Sequence, residues 1–152
     1  MFPDRRSFIR SLAATRWSGL ETAYGSALLV PWWLAIFRFA PTKCSSMAGH
    51  WLWCSLCHQH AYVSSAALPA APFIIDVLGR KQAPIVVEAL DILLGFIRCT
   101  EPSMADSPAW HFELRKVALS AMPTVRRLAG SADPAVADMA QQLLSEAGLA
   151  AT

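Results

Sequence analysis

Ala71-Pro72-Phe73-Ile74-Ile75-Asp76-Val77-Leu78, running on to Pro84, and Met122-Pro123-Thr124-Val125-Arg126-Arg127-Leu128, running on to Pro134, share one form. In each, a proline interrupts or starts an apolar helix, a short polar turn follows, and a second amphipathic helix packs back antiparallel. Val30-Pro31-Trp32-Trp33-Leu34 offers a third copy upstream. The last helix of the series is the clearest: Val136, Met139, Ala140, Leu143, Leu144 and Ala147 form one apolar stripe at helical spacing. Asp133 before Pro134 gives it an N-cap with proline at the first helical position, and Gly148 gives it a stop. Pro84 to Arg98 is apolar nearly all round, with Glu88, Asp91, Gly95 and Arg98 as one narrow polar strip, so this helix is predicted to sit in the middle of the protein. From about Ala109 a further helix turns Trp110, Leu114, Val117, Ala118, Ala121, Val125 and Leu128 inward and Arg115, Lys116, Arg126 and Arg127 outward.

The 152 residues are 55% hydrophobic and 16% charged, a composition that excludes disorder and suits one domain with a real core. Strand signals are poor, because no alternating run is bounded by Asn-Gly or Asp-Gly turns. A period of roughly 40 to 50 residues with two helices per unit predicts an all-α, HEAT- or armadillo-like stack of about three antiparallel helix pairs, a short α-solenoid. The units fall at about 17–58, 60–99 and 108–147 of a single domain spanning 1–152, after a basic N-terminal segment, 1–16.

That segment contains Arg5-Arg6-Ser7-Phe8-Ile9-Arg10, the form of a twin-arginine export signal. The uncharged apolar run such a signal needs is replaced by Arg16, Trp17, Gly19 and Glu21, so a cationic first helix is expected instead. Ala27 to Ala40 contains Pro31 and Arg38 and falls short of the roughly 20 residues a spanning helix needs. The expectation is a cytoplasmic protein without a membrane partner, its four cysteines reduced.

Cys54-Ser55-Leu56-Cys57-His58 matches the c-type haem attachment pattern, for which His50, His60, His111 or a methionine would be the distal ligand. Zinc has possible donors in Cys44, His50, Cys54, Cys57 and His60, but the second Cys-x-x-Cys of a usual finger is missing. No cofactor or metal is expected, and the thiols read as half-buried packing residues. No nucleophile elbow, phosphate loop, dinucleotide fingerprint or His-Glu-x-x-His pair is present, and Glu88 and Asp91 read as surface decoration, so no enzyme is expected. With 13 basic against 11 acidic residues, the net charge of +2 lacks the one-sidedness of a dedicated nucleic-acid binder.

Cys44 to Ile75 contains no Asp, Glu, Lys or Arg yet carries Trp51, Trp53, His58, Gln59, His60 and Tyr62, which makes it either buried centre or desolvating contact face. Trp51 and Trp53 lie roughly 200° apart on one helix, so one of them is nearer the surface, and exposed tryptophan is a favoured interface anchor. Adjacent Trp32 and Trp33 follow the same rule less strictly. Glu21 and Tyr24, read as i, i+3 on a helix, would form a polar patch with His58 and Gln59.

Trp17-Ser18-Gly19-Leu20-Glu21-Thr22-Ala23-Tyr24-Gly25-Ser26-Ala27 followed by Val30-Pro31, then Leu56-Cys57-His58-Gln59 and Tyr62-Val63-Ser64-Ser65-Ala66-Ala67-Leu68-Pro69, resemble small bacterial HEAT-repeat proteins found beside polymorphic toxin and secretion genes. The resemblance implies an immunity protein that binds a cognate toxin domain and blocks its active site without chemistry of its own. The chain departs from that pattern at His60-Ala61-Tyr62, where the family shows Gly-Thr-Val-Tyr. Partner-binding residues are expected at Glu21, Tyr24, Trp33, Trp53, His58, Gln59 and Tyr62. The alternatives are a HEAT-like nucleic-acid module or DNA glycosylase-type protein working through the basic helix, and a zinc or haem protein built on Cys54, Cys57 and His58.

Overall fold

In the computed structural model, which describes residues 2–101 and 107–149, the chain folds into eight helices among those residues. Residue 1 of the basic segment and residues 150–152 of the expected domain lie outside the description. Helix α1 (Arg5–Ala14) starts at Asp4, whose carboxylate accepts from the Ser7 N–H at 2.7 Å, and buries Phe8 and Leu12 while its arginines face water. Then follow α2 (Val30–Phe39), α3 (Thr42–Cys57), α4 (Ala67–Leu78), α5 (Ile85–Arg98), α6 (Ala109–Leu119), α7 (Met122–Leu128) and α8 (Pro134–Glu146). The all-α expectation holds, and no helix of the described residues is long and apolar enough to cross a membrane.

Helices consecutive in sequence pack in pairs, α2 on α3, α4 on α5 and α7 on α8, and the second members α3, α5 and α8 touch in that order. Helix α5 packs against α3, α4, α6 and α8, with ten of its 14 residues buried, as its all-round apolar sequence requires. The buried side chains form one contiguous cluster from Phe8 to Leu144.

Three local readings are corrected. Glu21 and Tyr24 do not share a helix: Glu21–Thr22 (β1) pairs antiparallel with Gly25–Ser26 (β2), and Tyr24 sits in the turn between them. Gly25 adopts φ 106°, which glycine tolerates, and Thr22 Oγ1 closes the turn by donating to the Gly25 carbonyl at 3.0 Å. The helix begun at Ala109 does not reach Leu128, because Pro123 lacks the N–H an uninterrupted helix would use, and the chain restarts as α7 with that proline in its first turn. Pro72 does not interrupt its helix; it lies inside α4 on the exposed side, where eight buried neighbours hold the helix together.

Candidate functional site

The small hairpin is pinned across the C-terminal half of α3 and the start of α4. The Ala23 N–H donates to the Ser55 carbonyl at 2.9 Å, the Ala66 N–H to the Glu21 carbonyl at 3.1 Å, and the Glu21 N–H to Ser65 Oγ at 2.9 Å. This docking lays Tyr24 against α3, with its ring edge-on to Trp51 at 6.5 Å and to His58 at 6.1 Å. Trp51 in turn stacks on Trp33 of α2 at 6.1 Å and 15°, and His58 meets Tyr62 at 5.3 Å. Trp33, Trp51, Tyr24, His58 and Tyr62 thus form one unbroken aromatic chain drawn from α2, α3, the hairpin and the loop after α3.

Tyr24, Trp51 and Tyr62 are exposed, as are Leu28, Leu29 and Trp32 where the chain enters α2. Between hairpin, α2 and α3 lies a groove of about 320 Å³ lined by Tyr24, Leu29, Trp33, Trp51 and Ser55. Packing against its neighbours desolvates the Tyr24 hydroxyl and raises its pKa above the ordinary tyrosine value. His58 Nδ1 is buried without a hydrogen-bond partner.

The turn that presents His58 is strained. His58, Gln59 and His60 hold φ values of 35°, 56° and 64°, three consecutive non-glycine residues in the left-handed region. Gln59 is exposed at the tip, and Glu21 is exposed with its backbone tied to Ser65 and Ala66.

Trp53 belongs elsewhere. It lies half-buried on the other side of α3, with Nε1 3.2 Å from His60 Nε2. Of the two tryptophans, Trp51 is the exposed one, which the spacing alone did not decide. His60 Nε2 is 2.9 Å from the Asp91 carbonyl and 3.2 Å from Asp91 Oδ1, while its Nδ1 is 3.3 Å from Arg98 Nη1. The Arg98 guanidinium and the Trp53 indole only donate whereas the Asp91 oxygens accept, so Nδ1 faces a donor and Nε2 faces both a donor and an acceptor. The polar strip of α5 is therefore internal to a network with α3, its terminal turn and Glu146 of α8, which Arg98 Nε reaches at 3.0 Å. Glu88 and Asp91 are not the surface decoration expected from sequence but half-buried beside α3.

The cysteines scatter. Cys44 is exposed near the start of α3, Cys54 Sγ lies 3.7 Å from His50 Nε2, and Cys57 packs on Gly95, its thiol pKa raised by burial. Burial likewise pushes the Cys99 thiol up to about 11. Among the described residues, no three His, Cys, Asp or Glu side chains are grouped to hold a metal ion. The basic face is also smaller than its sequence suggested: Arg115 folds back to donate to the Ile97 carbonyl at 2.7 Å, leaving Lys116, Arg126 and Arg127 exposed. Compared with protein-family models, curated proteins and solved structures, the chain matches none.

Proposed function

We propose that this chain is a binding protein of the immunity type, a short HEAT-like stack of helix pairs that covers the active site of a cognate toxin domain in the cytoplasm of the producing cell. The observation that carries the reading is the aromatic surface from Trp33 through Trp51, Tyr24 and His58 to Tyr62, continued by exposed Leu29 along the same groove. Contiguous apolar surface of this kind is uncommon on a protein that works alone and gains free energy when a partner removes it from water. Tyrosine and tryptophan are also the side chains that most often anchor an interface, because they bring large rigid area at little entropic cost. Occlusion needs no reacting group.

The test takes the reading frame beside this gene, which this reading expects to encode the cognate toxin domain. Trp51→Ala and Tyr24→Ala are each expected to weaken its binding by about 2 kcal/mol or more and to abolish protection of cells, with circular dichroism unchanged. Both positions are exposed, so the variants are expected to fold. Binding and protection at the level of the unaltered chain in both variants, and in Tyr62→Ala, would remove the surface from the interface.

A further inference from the structure

On the opposite side of α3 from Trp51, a second cleft of about 210 Å³ opens between α3 and α5, lined by Gly49, His50, Trp53, Glu88 and Asp91. It shares no lining residue with the aromatic groove and does not rest on the toxin reading. Two carboxylates project from one face of α5, the Trp53 ring forms a wall, and no lysine or arginine lines the space. The one basic side chain in the lining is the His50 imidazole, and Arg98, two turns beyond Asp91 on α5, is occupied by Glu146 and by His60 Nδ1.

Glu88 is only partly satisfied. Ser46 Oγ donates to its Oε1, while Oε2 is buried with no hydrogen-bond partner, and burial raises its carboxyl above the usual carboxylate range. The helix opposite gives it room at a cost. A Cβ at Gly49 would collide with Oε2 and stand 2.8 Å from the Phe37 ring, so a glycine holds this mid-helix position although it disfavours α3 by about 1 kcal/mol relative to alanine. Asp91 is held from behind by His60 and keeps 31% of its side chain exposed. A desolvated carboxylate with a free oxygen, a second carboxylate one helical turn away and an aromatic wall together suit a compact positive charge on an apolar stem. A metal ion is the poorer fit, because no three donors converge among the described residues.

We infer that this cleft binds an organic cation, an ammonium or guanidinium head on a short aliphatic chain, with Glu88 and Asp91 as counter-charges and Trp53 as the wall. The head belongs either to a free amine or to a lysine or arginine side chain presented by another protein. Both share the same chemistry at the cleft.

The experiment follows the Trp53 indole resonance in the ¹⁵N-labelled full chain, identified by its loss in Trp53→Phe, during titration with n-butylammonium, methylguanidinium and N-acetyl-lysine methylamide. Saturable shifts are expected with at least one cation, with about tenfold weaker affinity in Glu88→Gln and in Asp91→Asn. Binding of the blocked lysine as well as butylammonium assigns the site to a presented side chain, and binding of butylammonium alone assigns it to a free amine. The inference is overturned if no cation produces a saturable shift, if neutral n-butanol and N-methylurea shift the resonance equally, or if both carboxylate variants bind as well as the unaltered chain. Should Glu88→Gln fail to fold, Asp91→Asn and the neutral isosteres still decide the matter.

Discussion

Asp76 is 1% exposed, and its carboxylate accepts from Arg38 Nε at 2.9 Å and from the Phe2 N–H at 3.1 Å. It therefore ties α4 to α2 and to the chain preceding α1. Asp76→Ala leaves the Arg38 guanidinium, itself only 16% exposed, uncompensated in the core, and is expected to cost about 3–5 kcal/mol in urea unfolding, with Asp76→Asn costing less. A loss under about 1 kcal/mol would mean that water replaces the pair. Nothing local in Phe73-Ile74-Ile75-Asp76-Val77-Leu78 marks this aspartate as buried, because its partner is 38 residues away. Trp51 and Trp53 teach the same lesson from the other side. Helical geometry shows from sequence that they point apart, but which one faces water depends on where α5 and the hairpin settle.

At the scale of elements, the helix ends written in short-range chemistry were legible. Asp133 accepts from the Val136 N–H at 3.2 Å and Pro134 opens α8, and the apolar circumference of α5 foretold its central place. Elements fixed by docking were not: β1 and β2 are two residues each, too short for any alternation, and exist because α3 and α4 hold them. Reach also defeats periodicity. Arg115 lies on the expected outer face of α6, yet its long stem returns to donate to the Ile97 carbonyl in the last turn of α5. Arg115→Ala is accordingly expected to cost about 1.5–3 kcal/mol, as loss of a charged hydrogen bond does. Arg126→Ala, at an exposed position, is expected to stay within about 0.5 kcal/mol. Thermal melting of the two variants side by side checks this, and equal stabilities would return Arg115 to the solvated face.

For the whole molecule, the question is whether the helix pairs unfold separately, as stacked units with weak interfaces do, or together. Helix α5 argues for together, since it contacts members of the pairs before and after it and contributes Leu90, Ile92 and Leu93, all fully buried, to the common cluster. Opening any pair exposes part of that surface, so the local stability of one pair is lent by its neighbours. The tryptophans make the point measurable. Trp17, Trp32, Trp33, Trp51 and Trp53 lie before α4 and Trp110 alone lies after α5, whereas helices span the described chain. Fluorescence therefore reports mainly the first half, and circular dichroism the whole. Coincident urea transitions by the two probes are expected, and Leu93→Ala should shift both together by about 2–5 kcal/mol, the usual cost of emptying a buried leucine site. A dichroism transition that begins well before the fluorescence one would show α6 to α8 releasing on their own, and α5 would then be a partner of α3 and α4 rather than the axis of the fold.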